Sequence, residues 1–280
     1  MTTQPSTVAA TDPTGRFLGK VHVVTEGEAQ APAVAMIHGI PGSTRDFRYL
    51  APAIAALGMR AVRIDLPGFG RTPADAFPST RVADRAVFIH KVMGALGHTS
   101  FALAGHSFGG GIATHCASLF PDDVRALVAV NSIGPRRHHG YRAPGAVIRA
   151  STHLLDLPLI GKRWHEAVLR GYQKMGLRSD TPLDIDAIKL QFNIFGAVSF
   201  KDLRAAASRV QCPTLVASAK DDLLIQPSCA FALVRALHRA PLVSHLHVDH
   251  GGHFLQKHQA TAIAAWLSRT LGTASARAAA

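Results

Sequence analysis

Short apolar runs alternate with amphipathic runs through most of this 280-residue chain, and that alternation limits its fold more than any other feature. Residues 17–24 read as an opening strand. Residues 33–37 are apolar throughout, as in a strand buried on both faces. Further strand candidates are 61–65, 101–104, 124–130, 214–217 and 243–248. Between them, 47–57, 82–96, 231–237 and 263–271 have helical spacing, with Gly58, Gly97 and Gly272 where helices are expected to stop. Strand-like and helix-like segments in this order predict an α/β fold: a largely parallel sheet with helices on both faces.

One block breaks the rhythm. From residue 134 to 208 only helical pattern appears, interrupted by Pro144, Pro158 and Pro182. It is too long for an ordinary crossover, so it reads as a helical cap inserted over the C-terminal edge of the sheet. The expected organisation is a flexible leader at 1–15, a core formed by 16–133 and 209–272, the cap at 134–208, and a tail at 273–280. Over residues 136–180 of the cap, nine Lys and Arg, from Arg136 to Arg178, face only Asp156, Glu166 and Asp180. That excess suits an anionic substrate or surface, or is simply a solvated basic face. The apolar cap residues Leu154, Leu155, Leu159, Phe192 and Phe195 read either as a pocket wall or as the cap's own core.

The whole chain carries a net charge of +12, yet no nucleic-acid-binding motif accompanies it. No apolar run is long enough to span a bilayer. Cys116, Cys212 and Cys229 are odd in number and far apart, which suggests neither a disulfide framework nor a zinc knuckle. A cytoplasmic location is the simplest expectation, and the oligomeric state stays open.

The chemistry gathers at Gly105-His106-Ser107-Phe108-Gly109, a G-x-S-x-G between a strand-like and a helix-like run. Such a sharp turn strains the serine backbone and lifts its hydroxyl above the sheet edge. Serine is a weak nucleophile, so it needs a base within reach and a group to orient that base. Both should lie in loops after later strands. His253 follows the strand at 243–248 behind two glycines. Asp221 and Asp222 follow the strand at 214–217, and one of them is placed to hold the imidazole. An oxyanion hole needs two backbone N–H donors. Phe108, after the nucleophile, supplies one. Ile40, in the Gly-rich turn His38-Gly-Ile-Pro-Gly-Ser43 after an early strand, is the candidate for the other.

Together with Asp65-Leu-Pro-Gly-Phe-Gly70 and Gly251-Gly-His253, these motifs resemble the α/β-hydrolase superfamily from about residue 34 to 271, outside the cap. The resemblance implies a mostly parallel eight-stranded sheet and a triad of Ser107, Asp222 and His253. It favours Asp222 over Asp221 because relatives keep the acid three residues before an apolar position, here Ile225. It gives Asp65 a bracing role near the first oxyanion donor. Epoxide hydrolases and haloalkane dehalogenases share the His-Gly-x-Pro-Gly turn but use an aspartate nucleophile, so Ser107 argues against both. Carboxylic-ester hydrolysis without a cofactor is the default expectation, with lactone, thioester or C–C bond cleavage as alternatives on the same fold.

Two rivals deserve a test. His245-Leu-His247-Val-Asp249-His250 has the spacing of a dinuclear zinc string, and strand alternation would put His245, His247 and Asp249 on one face. Further ligands downstream are lacking, so no metal is expected. The other rival is a ligand-binding protein whose triad only shapes a pocket.

Overall fold

The computed structural model describes residues 4–11, 17–141, 143–177 and 183–272. Eight strands form one sheet: β1 (Gln4–Thr11), β2 (Phe17–Glu26), β3 (Ala33–Ile37), β4 (Arg60–Ile64), β5 (Phe101–His106), β6 (Val124–Val130), β7 (Thr214–Ala219) and β8 (Val243–Val248). Their spatial order is β1-β2-β4-β3-β5-β6-β7-β8. β1 pairs antiparallel with β2, and β2 antiparallel with β4. Every pairing from β4 across to β8 is parallel. The sheet is therefore mostly parallel, and seven strands correspond to the seven apolar runs.

The eighth is a correction. Residues 4–11 are expected within a flexible leader, but they form β1, paired with β2 from Gln4↔Thr25 to Thr11↔Phe17 with a register shift between Ala9 and Thr11. Thr, Ser and Val in this stretch suit an extended chain at a sheet edge. A pairing strand that exists only as half of a hairpin leaves no continuous apolar run to read. The expected tail at 273–280 lies outside the described residues.

Successive side chains of the parallel strands point to opposite faces, so both faces are apolar. Ala35 and Ile37 of β3 join Leu103, Leu127 and Ala129 in one core, while Val34 and Met36 join Ala102, Ala104 and Val128 in the other. The second core is covered by α1 (Leu50–Ala56) and by α10 (Ala260–Leu271), which follows the one-turn α9 (Leu255–His258). The first is covered by α2 (Val82–Ala95), α3 (Phe108–Leu119), α7 (Phe200–Ala207) and α8 (Pro227–Ala236). Between β6 and β7 lie α4 (Gly145–Ala150), a 3-10 segment (Ser151–Asp156), α5 (Pro158–Lys174) and α6 (Ile185–Gly196), which pack on one another.

α7 falls inside the block expected to be cap, yet it packs on α3 and α8. Leu203 and Ala207 belong to the sheet core. Helical period alone cannot say which layer a helix joins, so the cap ends earlier than residue 208. Within the cap, Phe195 packs on the first core and Leu155 is buried. Leu159 is 84% exposed and Leu154 is also exposed, so neither forms a pocket wall.

Candidate active site

The chain runs from β3 to β4 on one side, then returns to place β5 on the other side of β3. Open α/β sheets bind ligands where strand order reverses in this way, beyond the C-terminal strand ends. Here the turn after β3 and the turn after β5 meet. A Cβ on Gly109 would lie 2.1 Å from the Ile37 carbonyl oxygen, and one on Gly105 would lie 2.4 Å from that of Gly109. No larger residue fits either position, which explains both glycines of the G-x-S-x-G.

Ser107 sits between β5 and α3 with φ 54° and ψ −118°, a region that costs a non-glycine residue on the order of 1–3 kcal/mol. The turn is held by Ser107 N–H donating to Val130 O at 3.0 Å and Ile133 N–H donating to Ser107 O at 3.1 Å. Its Oγ lies 3.0 Å from His253 Nε2, and His253 Nδ1 lies 2.9 Å from Asp222 Oδ2. A carboxylate only accepts, so Nδ1 carries the proton and Nε2 is free to accept from the Ser107 hydroxyl. The Asp222 side chain is fully buried. Its Oδ1 accepts from Leu224 N–H at 2.8 Å and Ile225 N–H at 3.1 Å, which leaves Oδ2 for the imidazole.

Asp221 does something else. Its carboxylate accepts from Gly252 N–H at 2.8 Å and Gly251 N–H at 3.2 Å, clasping the loop that carries His253. Those backbone donors, Gly252 foremost, hold its carboxyl below the usual aspartate range.

Ile40 and Phe108, the expected oxyanion donors, both line a chamber with Ser107 and His253. Among the described residues, neither backbone N–H donates to a protein acceptor. The first of these turns is braced from below. Leu66 N–H donates to His38 Nε2 at 2.9 Å, which leaves the proton on Nδ1 for Gly39 O at 2.6 Å. Burial pushes the His38 pKa down, in keeping with this neutral tautomer. Asp65 Oδ1 accepts from Thr44 N–H at 2.6 Å and Oδ2 from Arg71 N–H at 2.8 Å. That geometry matches the bracing role expected of Asp65.

Three residues take a part in the site that the sequence does not assign them. Asn131 follows β6 and donates from Nδ2 to Gly252 O at 2.8 Å and His253 O at 3.0 Å. Its Oδ1 accepts from Ala219 N–H at 3.1 Å, tying the ends of β6 and β7 to the histidine loop. Its position straight after a buried strand of the C-terminal edge was the available signal. His106, the variable residue before the serine, donates from Nε2 to His253 O at 2.8 Å. Burial, aided by the neighbouring His253, lowers its pKa well below the ordinary histidine range, so it stays neutral beside the His253 ring. His138 belongs to the chamber wall, and burial pushes its pKa down to about 4.

The chamber is about 70 Å³ and lies under the cap, walled by Phe195, Val198, Tyr172, Met175, Leu224 and Ile133. It is partly enclosed and mostly apolar, and the Ser107 and His253 side chains belong to its lining.

The geometry can be set beside known proteins. Residues 32–153 match the α/β hydrolase fold family. A hydrolase of Pseudomonas aeruginosa PA01 superposes with a TM-score of 0.71 at 17% identity, over 96% of this chain and 98% of that one. This chain has the α/β-hydrolase fold. Among its relatives in sequence, a protein of Variovorax paradoxus named as a carbamate hydrolase, RutD, is 28% identical over 245 residues. The match covers 83% of this chain and 89% of that protein. Bifunctional epoxide hydrolase 2 of Sus scrofa is 30% identical over 118 residues, 40% of this chain, but this chain spans only 20% of its length.

The zinc-like string of this chain makes bonds of its own. Ser218 Oγ bridges His245 Nε2 and His247 Nδ1, each at 2.9 Å, and Asp249 lies 3.9 Å from Lys220. No group of three metal-ligating side chains occurs among the described residues.

Proposed function

We propose that this protein is a serine hydrolase that cleaves carboxylic esters through an acyl-enzyme. The observation that carries the reading is the continuous path Ser107 Oγ to His253 Nε2, 3.0 Å, and His253 Nδ1 to Asp222 Oδ2, 2.9 Å. Ser107 Oγ attacks the ester carbonyl as His253 Nε2 takes its proton. Asp222 keeps the imidazole in the productive tautomer and balances the imidazolium that forms. The N–H groups of Ile40 and Phe108 receive the oxyanion, a contribution of roughly 2.7–4 kcal/mol for a single donor. His253 then protonates the leaving alcohol. It next draws a proton from water, whose oxygen adds to the acyl carbonyl; the adduct collapses by breaking the bond to Ser107 Oγ, which takes the proton back from His253 as the acid leaves. No cofactor enters this scheme.

A fluorophosphonate probe tests it directly. One label per chain, mapped to Ser107, is the expected result; an unreactive Ser107 would leave a binding protein with an inert triad as the better account. The relatives named as carbamate hydrolases support a second reading on the same residues, in which the leaving group departs from a carbamate carbonyl. Parallel assays on an ester and its carbamate counterpart separate the two.

The acyl partner is small. Ligand pockets commonly enclose about 300–1,000 Å³, whereas this chamber encloses about 70 Å³. In a p-nitrophenyl ester series, kcat/KM is therefore expected to be highest for acetate or propionate and to fall with each added pair of methylenes. A maximum at decanoate would contradict the chamber as acyl site. A cytoplasmic setting fits three buried free thiols, and no helix among the described residues is long and apolar enough to cross a membrane.

A further inference from the structure

Outside the triad, one recess gathers charge in an unusual way. Arg136, Lys201, Arg204, Arg235 and His238 line an open groove of about 610 Å³ between α7 and α8. The four permanent cations come from three separate segments: the loop after β6, α7 and α8. No carboxylate lines the groove, and none of the four pairs with an acid among the described residues. The sole acid of α7, Asp202, lies instead in a different cleft beside His115. α8 has no acid at all.

Four like charges around one recess repel one another and are relieved only by solvent, salt or a bound anion. The floor is made by Ala205, Ala232 and Ala236, small side chains that leave the hollow open. The Arg204 guanidinium is already steered by a 3.4 Å bond to Pro135 O. Arginine forks match phosphate oxygens. A phosphate group of the ester type carries about −1.5 to −2 at neutral pH, so two or three phosphates balance four cations. Three guanidinium groups around a concave floor suit a compact, multiply charged anion better than a flat surface would.

We propose that this groove is a binding site for a small molecule bearing two or three linked phosphates, distinct from the triad chamber. The two share no lining residue, although Arg136 of the groove is in the same short stretch that supplies Ile133 and His138 to the chamber. The site does not depend on the triad being catalytic.

Calorimetric titration of the whole chain with inorganic tripolyphosphate, at fixed ionic strength, tests it. Saturable 1:1 binding is expected, weakened at least tenfold in an Arg204→Glu/Arg235→Glu double variant whose circular dichroism is unchanged. If that variant does not fold, Arg136→Gln/Lys201→Gln gives the same readout from two exposed positions. A nucleoside triphosphate arm distinguishes sources. Tighter binding than tripolyphosphate points to a nucleotide seated on the alanine floor, and equal binding to a free oligophosphate. The proposal is overturned by non-saturable binding, by equal affinity in the folded variants, or by binding of a short RNA with none of tripolyphosphate.

Discussion

Ser107→Ala is expected to lower p-nitrophenyl acetate turnover by about 10⁴-fold or more, the scale on which triad nucleophiles matter. The base, its orienting acid and both N–H donors would remain, but no group could form the acyl-enzyme. Ser107→Gly is expected to lose as much activity while gaining stability. Glycine adopts positive φ without a Cβ penalty, and the native residue holds φ 54° at a cost on the order of 1–3 kcal/mol. Alanine keeps that cost and loses the bond to His253, so it should be less stable than glycine at the same position. Denaturant unfolding of the three proteins, beside steady-state kinetics, checks both halves. An alanine variant with native turnover would remove Ser107 from the chemistry. A glycine variant less stable than wild type would show that the strain is not stored at this residue.

The parts of the fold that depend on local pattern were legible from the chain. Buried parallel strands must be apolar on both faces, so β3 and β6 stand out. The glycines at 105 and 109 are forced by backbone contacts within a few residues of the serine or one strand away. β1 was not legible, because an edge strand in a hairpin needs no apolar run, only a partner. α7 shows the same limit for helices: Leu203 and Ala207 have the spacing of any amphipathic helix, and only the fold decides that they pack on α3. Asn131 and His106 are a third kind. Their importance lies in bonds to backbone carbonyls 121 to 147 residues away, and a polar side chain aimed at a backbone atom leaves no complementary residue type to find. His253 was legible because its own chemistry marks it, whereas the residues that hold its backbone do not announce themselves.

The adjacent pair Asp221 and Asp222 offers the sharpest separation of roles. Asp222→Asn is expected to lower kcat by about 10⁴-fold, as when the orienting acid of a triad becomes an amide. The amide oxygen can still accept from Leu224 and Ile225, so the loop should keep its shape. Its NH₂ would then face His253 Nδ1 and require that nitrogen to accept. The ring proton would move to Nε2, where it points at Ser107 and blocks proton removal. Asp221→Asn changes none of this. Its oxygen can still take one of the two glycine N–H bonds, and the lost bond loosens only the loop backbone. A fall of about tenfold or less is expected, since one hydrogen bond contributes on the order of 1 kcal/mol. Equal losses in the two variants would mean that the imidazole is held by the loop as a whole. A larger loss in Asp221→Asn would transfer the orienting role to the more exposed carboxylate, against the 2.9 Å bond that Asp222 makes.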